Sequence, residues 1–168
     1  MSAILSEDGK YRYHLSRDFD MDDSGSCCFI MLNPSTADAI NDDPTIRRCI
    51  NFAKRFGCSS LEVVNLFAYR SSSPDVLYGM SRAMAIGPEN DEHILSTCND
   101  AKIIICAWGN HGKLHNRGEE IIRMLETKSQ GPLPKALKLN QKSQQPAHPL
   151  YLRGNQELIE LGGKLRGK

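Results

Sequence analysis

Three short runs, Cys27–Leu32, Leu61–Phe67 and Lys102–Trp108, carry apolar side chains at nearly every position. A strand with one wet face alternates apolar and polar residues, whereas a strand apolar throughout is covered on both faces. Between the runs the pattern changes to helical spacing. Asp42-Asp43-Pro44 opens a helix, with an acidic N-cap and a proline at the first turn, where its missing N–H costs nothing. Ile46, Cys49, Ile50, Ala53 and Phe56 then form one stripe that ends at Gly57. Buried strands alternating with amphipathic helices predict a three-layer α/β/α architecture with a central four-stranded, mainly parallel sheet.

Further along, Ser73-Pro74 opens a short helix over Asp75–Met80, Asn90–Cys98 reads as another, and Leu114–Leu125 carries Ile121, Ile122 and Leu125 between charges. Pro132 and Pro134 punctuate a loop before a fourth, weaker strand at Lys135–Leu139. Lys10–Leu15 alternates after an Asp8-Gly9 turn and predicts an N-terminal β-hairpin. We expect one domain over residues 1–152 and a basic C-terminal tail over 153–168.

The chain has 168 residues, 40% hydrophobic and 24% charged, which fits a globular domain and excludes general disorder. No apolar run approaches the roughly 20 residues that span a bilayer. The N-terminus lacks the basic start and apolar core of a secretory signal, so a cytoplasmic protein with no membrane partner is expected. Net charge is +1, but residues 1–43 hold nine acids and three bases, and residues 128–168 hold eight bases and two acids. Such asymmetry marks either a polyanion-facing end or a solvated tail. The six cysteines show no ligand spacing, and His111 and His115 have no acidic partner placed beside them, so no metal and no cofactor is expected.

A parallel sheet covered on both faces holds its ligand at the carboxyl ends of its strands. The first such end is Asn33-Pro34-Ser35-Thr36, either a rigid polar turn able to hold a water, a carbonyl or a phosphate or a simple Asn-Pro turn with hydroxyl capping. Asn65 is an amide inside an apolar strand, and burying it unpaired costs about 1–3 kcal/mol, so it must bond a loop or a ligand. Beyond it lie Phe67, Arg70 and Ser71: the guanidinium and hydroxyl suit an anion, or Arg70 pairs with the acidic N-terminal third. Trp108 and Gly109 end the third strand, where an indole either stacks on a base or fills the core. His148, in a loop between Pro146 and Pro149, is either a stiff histidine able to donate a hydrogen bond to a developing oxyanion or a plain surface-loop histidine.

Two resemblances follow from these residues. Met31–Asp38, Asp42-Asp43-Pro44-Thr45, Val64–Arg70, Ala107-Trp108-Gly109 and His148-Pro149-Leu150-Tyr151 together resemble an uncharacterised bacterial and phage family carrying a Leu-Asn-Pro-Ser-Thr motif, to which no activity is attached. The order of strand-end motifs also resembles the uracil-DNA glycosylase superfamily, in particular its mismatch-specific branch. Its first motif reads Gly-Ile-Asn-Pro-Gly, and Met31-Leu32-Asn33-Pro34-Ser35 stands in that place. The resemblance implies that Asn33 positions the water attacking the sugar C1′, and that His148, in the counterpart of the family's His-Pro, stands beside the base. Asn65, Arg70 and Pro74 resemble the Asn…Arg-Pro segment of the thermophile-type members, without their iron–sulfur cysteines. Met31 and Ser35 replace both glycines of the first motif, and Leu150-Tyr151-Leu152 replaces the serine-rich wedge.

The expected function is therefore hydrolysis of an N-glycosidic bond in a nucleobase-bearing substrate. Asn33 and His148 are the candidate catalytic pair, and Pro34, Ser35, Thr36, Asn65, Phe67, Arg70, Ser71, Trp108 and Gly109 contact substrate. The alternative is a non-catalytic module binding a nucleotide or nucleic acid through the same cleft. The near-neutral charge argues against tight non-specific DNA binding, whose affinity comes mostly from phosphate neutralisation.

Overall fold

The computed structural model describes residues 1–19, 22–35, 41–128 and 130–162. Within these, seven strands form one mixed sheet in the order β1-β2-β4-β3-β5-β6-β7. The strands are β1 (Ser2–Leu5), β2 (Arg12–Asp18), β3 (Ser26–Met31), β4 (Ser60–Asn65), β5 (Ile103–Cys106), β6 (Pro134–Ala136) and β7 (Ile159–Glu160). Five α-helices accompany them: α1 (Pro44–Arg55), α2 (Asp75–Tyr78), α3 (Arg82–Ile86), α4 (Asn90–Asp100) and α5 (Arg117–Thr127). None of the described helices is long and apolar enough to cross a membrane.

The sheet is wider than the four strands expected. β4, β3 and β5 are neighbours and run parallel, as their apolar runs predict, and β6 joins them in parallel at Pro134–Ala136, starting earlier and ending sooner than the expected 135–139. The N-terminal hairpin is not an appendage: β2 pairs antiparallel with β4, with Leu15 opposite Val63, so the hairpin extends the sheet. At the other edge β7 pairs antiparallel with β6, and Leu161 beyond it is fully buried. Residues 159–160 of the expected tail thus belong to the sheet, with Leu161 buried after them. Their signal is too short for pattern reading, because two paired residues and one buried leucine make no periodicity.

Alternation along the central strands feeds two cores. Cys27, Phe29, Met31, Leu61, Val63, Ile105 and Ala107 pack with Ile46, Cys49, Phe52 and Ala53 of α1. Cys28, Ile30, Val64, Leu66, Ile104 and Cys106 pack with Leu77, Ile94, Cys98, Ile121, Ile122 and Leu125 of the other helices. α1 begins as its sequence predicts: Pro44 is at the first turn and the Asp43 carboxylate accepts from the Ile46 N–H at 2.8 Å. All six cysteines are buried free thiols, and burial pushes the thiols of Cys49 and Cys106 up, in keeping with small apolar fillers.

One polar cluster fixes the carboxyl end of β4. Past the ladder, the carbonyls of Asn65 and Leu66 need donors inside the protein. The amide of Asn90, at the first turn of α4, donates to both, at 2.9 and 3.1 Å. The fully buried Arg117, at the start of α5, donates from Nε to the Leu66 carbonyl at 3.0 Å and turns its two remaining nitrogens to Asp91 and Glu120. Replacing Arg117 by methionine keeps the stem but removes one of the two donors to the Leu66 carbonyl and takes the guanidinium from Asp91, while Glu120 keeps Arg82. We expect a loss of roughly 2–4 kcal/mol in urea unfolding. An unchanged midpoint would show that the guanidinium does not hold the strand end.

Candidate functional site

The sheet opens at the carboxyl ends of β3, β4 and β5 into a cleft of about 550 Å³ on the side of α1. This volume suits a ligand of nucleoside or nucleotide size. Its walls come from distant segments: Met31–Ser35 after β3, Asn65 at the end of β4, Ser71 and Ser72 beyond it, Trp108–His111 after β5, and Ala147 and His148.

Local bonds bring the two expected catalytic residues to this cleft. Asn33 is fixed by the loop after β4: the Ser71 N–H donates to the Pro34 carbonyl at 3.0 Å, and Asn33 Nδ2 donates to the Ser71 and Pro34 carbonyls at 3.1 and 3.3 Å. With the amide nitrogen committed to two carbonyls, Oδ1 is the acceptor left for the cleft, and it bonds no described residue. His148 is held from three sides. The Gly109 N–H donates to the Pro146 carbonyl and the Ala147 N–H to the Lys138 carbonyl, both at 2.8 Å, and Trp108 Nε1 donates to Gln145 Oε1 at 2.9 Å. Gly109 has φ +77°, a conformation that favours glycine. The Leu150 N–H then donates to His148 Nδ1 at 3.2 Å, which requires that nitrogen to be unprotonated and leaves the ring proton on Nε2.

Further polar groups line the walls. Asn65 is only 3% exposed, lines the cleft, and its side-chain amide bonds no described residue. Arg12, on β2, is 6% exposed and lines the cleft too. Burial, reinforced by the neighbouring Arg70 and Arg17 and opposed by Asp43, brings its guanidinium down to about 10. Asp43 and Thr45, at the start of α1, face the same space, and Tyr151, 90% exposed, stands beside them.

The cleft thus collects Asn33, Pro34, Ser35, Asn65, Ser71, Trp108, Gly109 and His148 of the expected residues. Thr36 lies outside the described residues, as does Asp38. Phe67 is fully buried in the core with its ring edge toward His115, away from the cleft wall. Arg70 does not line the cleft; one of its nitrogens donates to the Gly9 carbonyl in the hairpin turn. The Ser71 hydroxyl is engaged within its own turn, donating to the Ser73 carbonyl and accepting from the Ser73 N–H. Trp108 is 2% exposed and packs so closely on Gly112 that a Cβ there would lie 2.0 Å from its ring. It is a wall of the cleft, not an open stacking platform.

Sequence reading missed Arg12, Asp43, His111, Asn140 and Tyr151 as cleft residues. Arg12 alternates with Tyr11 and Tyr13 and so reads as the wet face of a hairpin; its burial follows from β2 lying inside the sheet. Asp43 reads as a helix cap, which it is, and nothing local shows that the cap faces a ligand. His111 meets the Tyr78 hydroxyl through Nδ1 at 2.8 Å, a pairing between loops that spacing does not reveal. No group of three or more His, Cys, Asp or Glu among the described residues is placed to hold a metal.

A family described as "Protein of unknown function (DUF1643)" matches residues 12–150. The chain belongs to that family. No curated protein and no solved structure matches it. The match runs from Arg12 to one residue short of Tyr151, so every polar cleft residue discussed above except Tyr151 falls inside this DUF1643 domain.

Electrostatics set the protonation state of the cleft of this DUF1643 domain. Burial lowers the His148 imidazole below its ordinary 6.5, with Asp43 opposing, so the neutral ring persists into mildly acidic solution. Because the native value is depressed, the neutral ring contributes stability that is present above 6.5 and lost as pH falls through the native value. Protonating Nδ1 also breaks the Leu150 bond. We expect thermal stability to fall between pH 6.5 and 5 by a component that His148→Gln removes. An identical pH profile in the variant would count against a neutral, Nδ1-accepting ring.

Proposed function

We propose that this DUF1643 protein is an enzyme of the glycosylase type, hydrolysing the N-glycosidic bond of a nucleobase-bearing substrate. The observation that carries this reading is the shared cleft: Asn33, with its amide oxygen left as acceptor, and His148, with its proton on Nε2, line one cavity of nucleoside size. The resemblance of the strand-end motifs to the uracil-DNA glycosylase superfamily, and a sheet whose faces are covered by α1 on one side and α4 and α5 on the other, support a three-layer, glycosylase-like arrangement.

The chemistry follows from these groups. Asn33 Oδ1 accepts from a water and aims its oxygen at C1′ of the sugar. As the C1′–O bond forms, the C1′–N bond breaks and its electron pair goes to the base, where the His148 Nε2–H donates a hydrogen bond to the charge developing there. A neutral imidazole suits that task, because it stabilises the departing base without having to be recharged. Asp43 takes the proton the water loses, and that proton returns to the released base through solvent. Asn65 supplies both a donor and an acceptor to the base edge, which answers the cost of burying an unbonded amide. A substrate base inside a strand must first leave the stack to reach this depth.

A second reading, binding of a nucleotide without cleavage, is favoured by one feature: an Asp43 oxygen is already engaged in capping α1. Base release separates the two. Nucleosides, 5′-mononucleotides and oligonucleotides with normal, deaminated and alkylated bases are incubated with the protein, and free base is measured by chromatography. We expect release from one class, reduced on the order of 100-fold by Asn33→Ala and by His148→Ala. Asp43→Asn preserves the cap and lowers the rate alone. Undiminished ligand binding in both alanine variants with no base released from any substrate would overturn the enzyme reading.

A further inference from the structure

Two histidines line the cleft, His111 and His148, and they stand on neighbouring segments. A Cβ added at Gly109 would lie 3.9 Å from the His148 Cβ, and His111 follows two residues after Gly109. The turn that carries His111 is braced on both sides. Asn110 Oδ1 accepts from Asn140 Nδ2 at 2.8 Å and from the Ser143 hydroxyl at 2.6 Å, and Gly112 is pressed on the Trp108 ring. The Tyr78 hydroxyl, on α2, meets His111 Nδ1 at 2.8 Å, with the two rings edge to face. Nδ1 is thereby occupied, while Nε2 bonds no described residue. Both side chains are partly exposed, where such a bond adds little to stability, so its consequence is a fixed direction of the imidazole.

The two rings differ in the kind of partner each has. The Leu150 N–H can only donate, so its bond to His148 Nδ1 exists only while that nitrogen is unprotonated. A phenol hydroxyl both donates and accepts. Tyr78 therefore donates to a neutral His111 and accepts from a charged one, and the ring keeps its direction in both states. Protonating His148 breaks a bond; protonating His111 reverses one. Histidine is the side chain suited to exchanging a proton near neutrality, and of this pair only His111 is partnered to do so. Tyr78 is the titratable group in contact with it; Arg12, Asp43, His148 and Tyr151 share its cleft, and Lys113 its turn.

We propose that His111 is a catalytic acid of the cleft, giving the Nε2 proton to a ring nitrogen of the departing base, and that this base is a purine. The proposal rests on the glycosylase reading and adds the class of base. Uracil and thymine spread the leaving charge over two carbonyls and offer no free ring nitrogen, so a hydrogen bond from neutral His148 serves them alone. A purine carries two such nitrogens, N7 and N3, beside the leaving N9, and departs readily once one of them is protonated. The water oxygen bonds C1′ and its proton goes to Asp43, while the C1′–N9 pair passes to N9. The His111 proton moves to N7 or N3, the base leaves neutral, and the proton on Asp43 recharges His111 through solvent.

The test measures base release from purine and pyrimidine nucleosides, mononucleotides and oligonucleotides, and from 7-deaza and 3-deaza purine analogues that each lack one acceptor. We expect purines to be released faster than pyrimidines. His111→Gln should lower purine release on the order of 100-fold and remove the fall in rate that deprotonating this acid causes as pH rises. Tyr78→Phe keeps the ring packing but loses the bond to Nδ1, and should lower release less while shifting that fall along the pH axis. One of the two deaza substitutions should slow the wild type at least about tenfold more than it slows His111→Gln, which has no proton to give. A structural role for His111 would slow parent and analogue alike. Should His111→Gln fail to fold, Tyr78→Phe takes its place in the comparison. Equal analogue penalties in wild type and variant, or release confined to pyrimidines, overturn the role of His111 and leave the glycosylase reading standing. No base released from any substrate overturns that reading, and the role of His111 with it.

Discussion

The carboxyl end of β4 is the constraint around which the rest of the molecule is arranged. A strand leaving a parallel sheet carries backbone groups that the ladder no longer serves, and inside a protein each must find a donor or acceptor. Here the Asn90 amide spans the carbonyls of Asn65 and Leu66, and the Arg117 guanidinium adds a second bond to Leu66. Both come from the first turns of helices, α4 and α5, so two helices are pinned to one strand end. The Asn65 and Leu66 backbone is therefore fixed before any ligand arrives, and the Asn65 side chain is presented to the cleft by geometry rather than by its own bonds.

The opposite walls are held in the same manner, by loops that cross-brace one another. Ser71 reaches back to Pro34 and accepts from Asn33, so the turns after β3 and β4 are one unit. Gly109, Trp108 and Lys138 hold residues 145–147, which deliver His148. The Arg48 side chain on α1 reaches the Pro149 carbonyl, tying the far side of that loop to the helix whose start lines the cleft. Rigid loops carried on a buried sheet give a site its precision, because each polar group is oriented by a neighbour instead of by the ligand.

The parts legible in the sequence are those whose signal is local. Apolar runs gave three of the parallel strands, the weaker run at 135–139 overlaps the fourth, Asp43-Pro44 gave the start of α1, and strand-end position brought Asn33, Asn65 and His148 into consideration together. What escaped is set by pairing between distant segments. Arg12 alternates like an exposed residue, yet it is buried where its N–H donates to the Ala68 carbonyl beyond β4. Phe67 and Arg70 follow directly on a cleft strand, yet Phe67 turns into the core and Arg70 toward the hairpin turn. The indole of Trp108 is absorbed by Gly112 and Gln145, whose approach no spacing rule anticipates. β7 is two residues long and exists because β6 offers an edge.

Stability alone does not account for the composition of this wall. At the register of Asn65 the β3 neighbour is Met31 and the preceding residue on the same face is Val63, both apolar. A valine or leucine in place of Asn65 would remove an amide that bonds no described residue and add buried apolar area. Arg12 poses the same question more sharply, since a guanidinium this deeply buried and crowded by two others loses hydration that an aliphatic residue would never need. Side chains that cost a fold stability are retained where something outside the fold makes up the loss. In this cleft Asn65 and Arg12 sit in one continuous wall, and the amide asks for a neutral polar edge. A ligand with a neutral polar edge answers the Asn65 amide at the depth where that side chain stands, which an apolar replacement could not do.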